Sequence, residues 1–264
     1  MNEVRNVVEK YFKDVPSVQE FKDLKSLGTE CKIEELKNGY SGVVLYIEKL
    51  KQRLKDNPFA NSIKFFKCEN NEKEKIVLFA DFQRNDDRAN FALIEGNHIY
   101  CLSGNTNKDG GKNEFANNLD GFVPNSYYHM ENVTYRIDEK GRVCETFEYH
   151  VTKRPTNRNN ERGSMKNIAM AFDGKETDIG GHLVAHSIDG PSEAINIVPM
   201  DNTFNKTGEW NIMESFLRCL YQMGIVFWVH KAILYKDTTR RPSHVDTEIE
   251  IEIKQPIKFT FDCL

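Results

Sequence analysis

Residues 178–218 read DIGGHLVAHSIDGPSEAINIVPMDNTFNKTGEWNIMESFLR, and the rest of the chain is best understood around this stretch. His182 follows Gly180 and Gly181, a pair that lets backbone and a bound molecule approach closely. An imidazole with an unperturbed pKa of about 6.5 keeps a useful neutral fraction at physiological pH, so His182 suits proton abstraction from water. Asn196 and Asn205 offer neutral carbonyl oxygens, which suit a hard divalent cation whose shell is otherwise water and anionic ligand. Trp210, Met213, Leu217 and Leu220 recur on one face, which predicts a helix from about Thr207 to Met223. Glu214 falls at the edge of that stripe, placed to accept hydrogen bonds from metal-bound water or to orient an asparagine amide. Arg218, one turn on, can pair with Glu214 or contact a phosphate.

Each of these residues also has an ordinary reading. A histidine after two glycines is often a satisfied turn residue, and Asn196 and Asn205 can cap a turn and a helix. Glu214 and Arg218 at i, i+4 are by default a surface pair contributing about 0.3 to 0.5 kcal/mol. His186 completes an HxxxH spacing, but no glutamate follows His182 as a zinc protease motif requires, and Gly190-Pro191 limits any helix there. His186 is therefore read as substrate-near or structural, and a metalloprotease is set aside.

The 264 residues carry 39% hydrophobic and 29% charged side chains, with a mean hydropathy of -0.60, the profile of a folded chain with a solvated surface. A formal charge of -4 argues against coating nucleic acid through bulk electrostatics, so any phosphate contact must be local. Such a local track is offered by Lys153–Lys166, where Lys153, Arg154, Arg158, Arg162 and Lys166 face one acid, Glu161. The six cysteines, at 31, 68, 101, 144, 219 and 263, show no CxxC spacing and read as reduced thiols. No run approaches the roughly 18 apolar residues of a membrane span, and Met1–Asp14 lacks a signal-peptide core. The expectation is synthesis in the cytoplasm, with any export by a route that needs no signal peptide.

Two units are expected. The first, residues 1–120, is a small α+β domain: helical over its first part, clearest at Ser41–Asp56, then strands at Ser62–Cys68, Lys75–Phe82, Asn90–Glu95 and His98–Leu102, the last two joined at Gly96-Asn97. Between Ser103 and Asn125 the composition shifts to Gly, Asn, Asp and Lys, and the boundary is placed there. The second unit, 121–264, opens on a hairpin, Asn132–Ile137 and Val143–Val151, around Gly141. It closes on strands at Gly224–Tyr235, His244–Lys254 and Ile257–Asp262.

Phosphodiester hydrolysis needs a deprotonated water, a divalent ion against the developing charge and a held phosphate, and the 178–218 residues can supply all three. The pattern D-x-G-G-H-L, then I-N-x-V-P, then N-x-x-x-x-W-x-x-x-E resembles the DNA/RNA non-specific endonucleases, the ββα-metal or His-Me finger nucleases, and especially the nuclease domains of bacterial polymorphic toxins. The hairpin VTYRIDEKGRV and the strands around Arg240-Arg241-Pro242 extend the resemblance over roughly 125–264. It implies a ββα-metal nuclease domain with a central antiparallel sheet, with His182 as general base, Asn196 as direct ligand of Mg2+ or Mn2+, Asn205 and Glu214 supporting the metal's shell, and Arg218 on the phosphate. It further implies DNA or RNA as substrate and a cognate immunity protein as partner. Ile179 stands where the best-known members carry arginine, and Met200 where glutamine is usual. The first change leaves Arg154, Arg158 and Arg162 as candidates for the scissile phosphate. It also motivates an alternative, a nucleic-acid-binding or regulatory module that keeps the fold without turnover.

Overall fold

In the computed structural model, residues 3–12, 16–55, 63–70, 73–80, 90–102, 112–151, 162–252 and 257–262 are described. The amphipathic segments of the N-terminal part become α1 (Glu3–Glu9), α2 (Val18–Leu27) and α3 (Lys37–Arg53), with a three-residue strand, β1 (Thr29–Cys31), between the last two. Helix α3 starts earlier than Ser41 because Lys37–Gly39 join it across a non-helical Tyr40. The Phe-, Ile- and Val-rich runs follow as β2 (Lys64–Asn70), β3 (Lys73–Ala80), β4 (Asn90–Glu95) and β5 (His98–Cys101), with Gly96 at positive φ in the β4–β5 turn. The second part contributes β6 (Tyr127–Met130), β7 (Val133–Ile137), β8 (Val143–His150), α4 (Arg162–Ala171), β9 (Asp178–His182), β10 (Ile197–Asp201), α5 (Asn202–Lys206), α6 (Glu209–Gln222), β11 (Phe227–Leu234), β12 (His244–Ile251) and β13 (Ile257–Asp262).

Eleven of these strands form one sheet in the order β1-β2-β3-β4-β5-β6-β7-β8-β11-β12-β13. Every neighbouring pair is antiparallel except β5 and β6, which run parallel, so the molecule is α+β with a central, largely antiparallel sheet. That parallel pair spans the boundary expected near residue 120. Strands from either side of the glycine- and asparagine-rich stretch are hydrogen-bonded neighbours, and one apolar core runs from Leu36, Ile47 and Ile94 to Tyr135, Trp210, Val229 and Ile249. Val4 and Val8 of α1 also pack on Phe147 and Trp228, in β8 and β11 of the second part, and the Arg5 backbone N–H donates to Glu250 at 3.0 Å.

The two faces of the sheet differ. One carries the main core together with α3, the β9–β10 pair and α6. The other is lined by aromatic and imidazole rings: Tyr11 stacks between Tyr127 and Phe147, and His98 and His129 stack with ring nitrogens 2.8 Å apart. Among the described residues no helix is long and apolar enough to cross a membrane.

Candidate active site

The informative stretch folds as a two-stranded ribbon lying apart from the main sheet. Strand β9 is DIGGH and pairs antiparallel with β10, IVPMD, so that His182 faces Ile197 and Asp178 faces Asp201 across the ladder. Two glycines inside a strand are normally unfavourable, and contact explains both. A Cβ on Gly180 would stand 2.5 Å from the Met165 carbonyl of α4, and one on Gly181 would stand 2.2 Å from Met200 Sδ and 2.7 Å from Asn205 Nδ2. Helix α4 and the Asn205 side chain can reach the ribbon only because these positions lack side chains.

After β10 the chain turns into α5, capped by Asp201, whose carboxylate accepts from the Thr203 and Phe204 N–H groups. This short helix carries Asn205 back over the ribbon beside Gly181, the residue preceding His182. Asn205 is half-buried, and its amide nitrogen lies 3.9 Å from Met200 Sδ; its carbonyl oxygen accepts no hydrogen bond among the described residues. His182 is half-buried at the end of β9, with the His186 ring centroid 6.0 Å away.

Asn196 corrects the expectation of a direct metal ligand. It has no exposed surface, and its carbonyl oxygen accepts from Tyr135 Oη at 2.9 Å and the Val184 N–H at 2.8 Å. Its amide nitrogen donates to the Val184 and Pro191 carbonyls at 2.9 and 2.8 Å. With both lone pairs and both amide hydrogens used, it has nothing left for a cation. The role it performs is to pin the loop that follows His182 to the core. Tyr135, in the preceding hairpin, was missed by sequence reasoning because nothing local to VTYRI marks a partner 61 positions away.

Glu214 and Arg218 do not form the i, i+4 pair. Arg218 is exposed and donates to Ser215 Oγ at 3.0 Å. Glu214 is half-buried; burial pushes its carboxyl up to about 7, against the opposing influence of Lys231, the Trp210 indole and Arg218. Lys231 is itself buried in β11 and paired with Glu148, which also accepts from Thr146 Oγ1 at 3.2 Å and lies 3.4 Å from His150 Nε2. Arg154 and Arg158 lie outside the described residues, and Arg162 is the first residue of α4. At the start of β9, Arg241 grips Asp178 through two hydrogen bonds, at 2.6 and 3.0 Å. Burial works to raise the Asp178 carboxyl, but Arg241 and the Lys175 N–H hold it below its ordinary value.

Among the described residues no three His, Cys, Asp or Glu side chains converge as a metal cluster. The donor beside Gly181 is instead the Asn205 amide, whose open carbonyl oxygen fits a hard cation that keeps most of its shell as water and substrate oxygen. A ribbon ending in histidine, followed by a helix that returns an asparagine to the same place, is a ββα centre of the kind suited to phosphodiester hydrolysis. Consistently, residues 124–253 match the DNA/RNA non-specific endonuclease family, which supports a nucleic-acid hydrolase. Among solved structures, NucA from Streptococcus agalactiae with magnesium ion bound is similar at 15% identity and a TM-score of 0.41, over 50% of this chain and 70% of that one. The same nuclease with no metal bound gives 15% identity and a TM-score of 0.39, over 55% and 74%. No curated protein matches the chain.

Proposed function

We propose that this protein is a magnesium-dependent, sugar-nonspecific endonuclease that cuts DNA and RNA by in-line attack of water and leaves 5′ phosphates. The observation that carries the reading is the placement of Asn205, whose amide nitrogen lies against the strand that ends in His182 and whose carbonyl oxygen accepts no hydrogen bond among the described residues. In this reading His182 takes the proton from the attacking water at a ring nitrogen. Asn205, in place of Asn196, offers its oxygen to Mg2+ or Mn2+, with Glu214 behind it on α6. Bound there, the cation supplies positive charge to the phosphorus oxygens and the departing 3′ oxygen. Arg218 from the exposed face of α6, His186 beside the base, and the arginines at 154, 158 and 162 are assigned to holding the phosphate backbone.

An enzyme with this reach would cut its maker's own nucleic acid. We therefore take it to be a toxin or effector nuclease held in check by an immunity protein.

Plasmid and RNA cleavage with Mg2+ and with EDTA tests the chemistry. His182→Ala should lose at least about 100-fold in rate, Asn205→Ala should demand far more Mg2+, and EDTA should stop wild type. Undiminished cutting by His182→Ala would remove the assigned base. Nucleic-acid binding without cleavage under any divalent ion would mean that the fold is kept as a binding module only.

A further inference from the structure

Met200 is a fully buried residue of β10 whose thioether touches the two positions on which the centre depends. Its sulfur lies 2.2 Å from where a Cβ on Gly181 would be, and 3.9 Å from Asn205 Nδ2. An asparagine amide is planar, with its oxygen and nitrogen on opposite sides of Cγ and nearly isosteric. Which of them faces a partner is therefore set by hydrogen-bonding chemistry alone. Thioether sulfur is a weak acceptor and no donor, so it attracts the amide N–H and repels the amide oxygen. With the nitrogen held against Met200, planar amide geometry turns the oxygen to the side of Cγ away from the sulfur. Met200 and Asn205 are both reached without strain because Gly181 leaves the space between them open.

We propose that Met200 is a positioning residue, whose sulfur holds the Asn205 amide in the orientation that turns its carbonyl oxygen outward to a divalent cation. The inference deepens the assignment of Asn205 as metal ligand and rests on it. An ordinary core methionine would do none of this: it would fill volume, and any apolar side chain of similar size would replace it.

The two roles predict opposite orders for two variants. Met200→Leu conserves volume and removes the acceptor, a swap that buried cores tolerate well. Met200→Gln places an amide oxygen within reach of the same N–H group. If the sulfur orients Asn205, Leu weakens and Gln restores; if Met200 only packs, Leu is silent and Gln, a buried amide, is the harmful change.

Mn2+ binding to the nucleic-acid-free protein, followed by electron paramagnetic resonance, is the primary readout. The Mg2+ dependence of cleavage and thermal melting are recorded on the same proteins. For Met200→Leu we expect Mn2+ affinity to fall about three- to tenfold with an unchanged melting temperature, and for Met200→Gln a return toward wild type. In the metal-free protein, the side-chain amide resonance of Asn205, assigned by its loss in Asn205→Ala, should shift in Met200→Leu and recover in Met200→Gln. Wild-type Mn2+ affinity and an unmoved amide resonance in Met200→Leu would overturn the positioning role. If Asn205→Ala itself binds Mn2+ like wild type, the ligand assignment falls and takes this inference with it. Loss of binding in Asn205→Ala alone would leave the ligand standing and remove only Met200.

Discussion

At the scale of single residues, the two asparagines of the motif show how one side chain can be read two ways. Asn205 and Asn196 are the same chemical group, both downstream of His182 in one motif, yet one has an open oxygen and the other none. Replacing Asn196 by alanine should leave Tyr135 Oη, the Val184 N–H and two carbonyls without partners in a dry place, at a cost of about 3 kcal/mol or more. Asn196→Asp should be as harmful, because a carboxylate cannot donate to the Val184 and Pro191 carbonyls. Thermal melts of both variants check this, and a stable Asn196→Asp protein with retained activity would restore the metal role to position 196. Asn196 was legible as a noteworthy residue, and the chance that it merely satisfies a turn was legible too. The deciding partners were not, since Tyr135 is brought to it only by the fold.

At the scale of elements, strands with strong local signals fell where their patterns put them. β4, β5 and β13 begin and end within a residue of expectation, because alternation and a Gly-Asn turn are properties of neighbours in sequence. The helix expected at Thr207–Met223 proved to be Glu209–Gln222, preceded by the separate α5. Asp201 caps α5, and Gly208 breaks the run before Trp210, whose burial with Met213, Leu217 and Leu220 was plain from spacing. The β9–β10 ribbon was the least legible element: a strand with two glycines has no propensity of its own and exists because α4 and Asn205 lean on it. Its first residue is held by the Arg241 fork, so Asp178→Asn should cost about 3 kcal/mol by removing the carboxylate charge that a largely buried guanidinium grips. Because the folded carboxyl sits below its ordinary value, this contribution is present above about pH 3.9 and is lost in acid as the pH falls through the folded value. Denaturant unfolding of wild type and Asp178→Asn at pH 7 and pH 3 should therefore converge at the lower pH.

At the scale of the whole molecule, the one parallel pairing among the described strands, β5 with β6, joins the first hundred residues to the second part, and His98 and His129 sit across that seam. Burial, and then the neighbouring His98, push the His129 imidazole down to about 3, while Glu95 works the other way on His98. A depressed histidine is neutral in the fold and protonates first when unfolded, so its contribution is complete above about pH 6.5 and drains away as the pH falls toward 3. Glu214 has the opposite sign: its raised carboxyl makes the fold lose stability as pH climbs from about 4.5 to 7. Melting temperatures between pH 8 and pH 4 should fall in acid for wild type and fall less for His129→Gln. Equal slopes would show that the imidazole pair does not titrate with unfolding. The domain boundary was inferred from a change in composition, and composition says nothing about which strands pair across it. The practical consequence concerns anyone who trims the chain to residues 124–253. The cut would bare the flank of Tyr127–Met130 that now bonds to His98–Tyr100, leaving a row of unanswered amides and carbonyls. Such a fragment would invite neighbouring copies to dock there and come out of solution as aggregate.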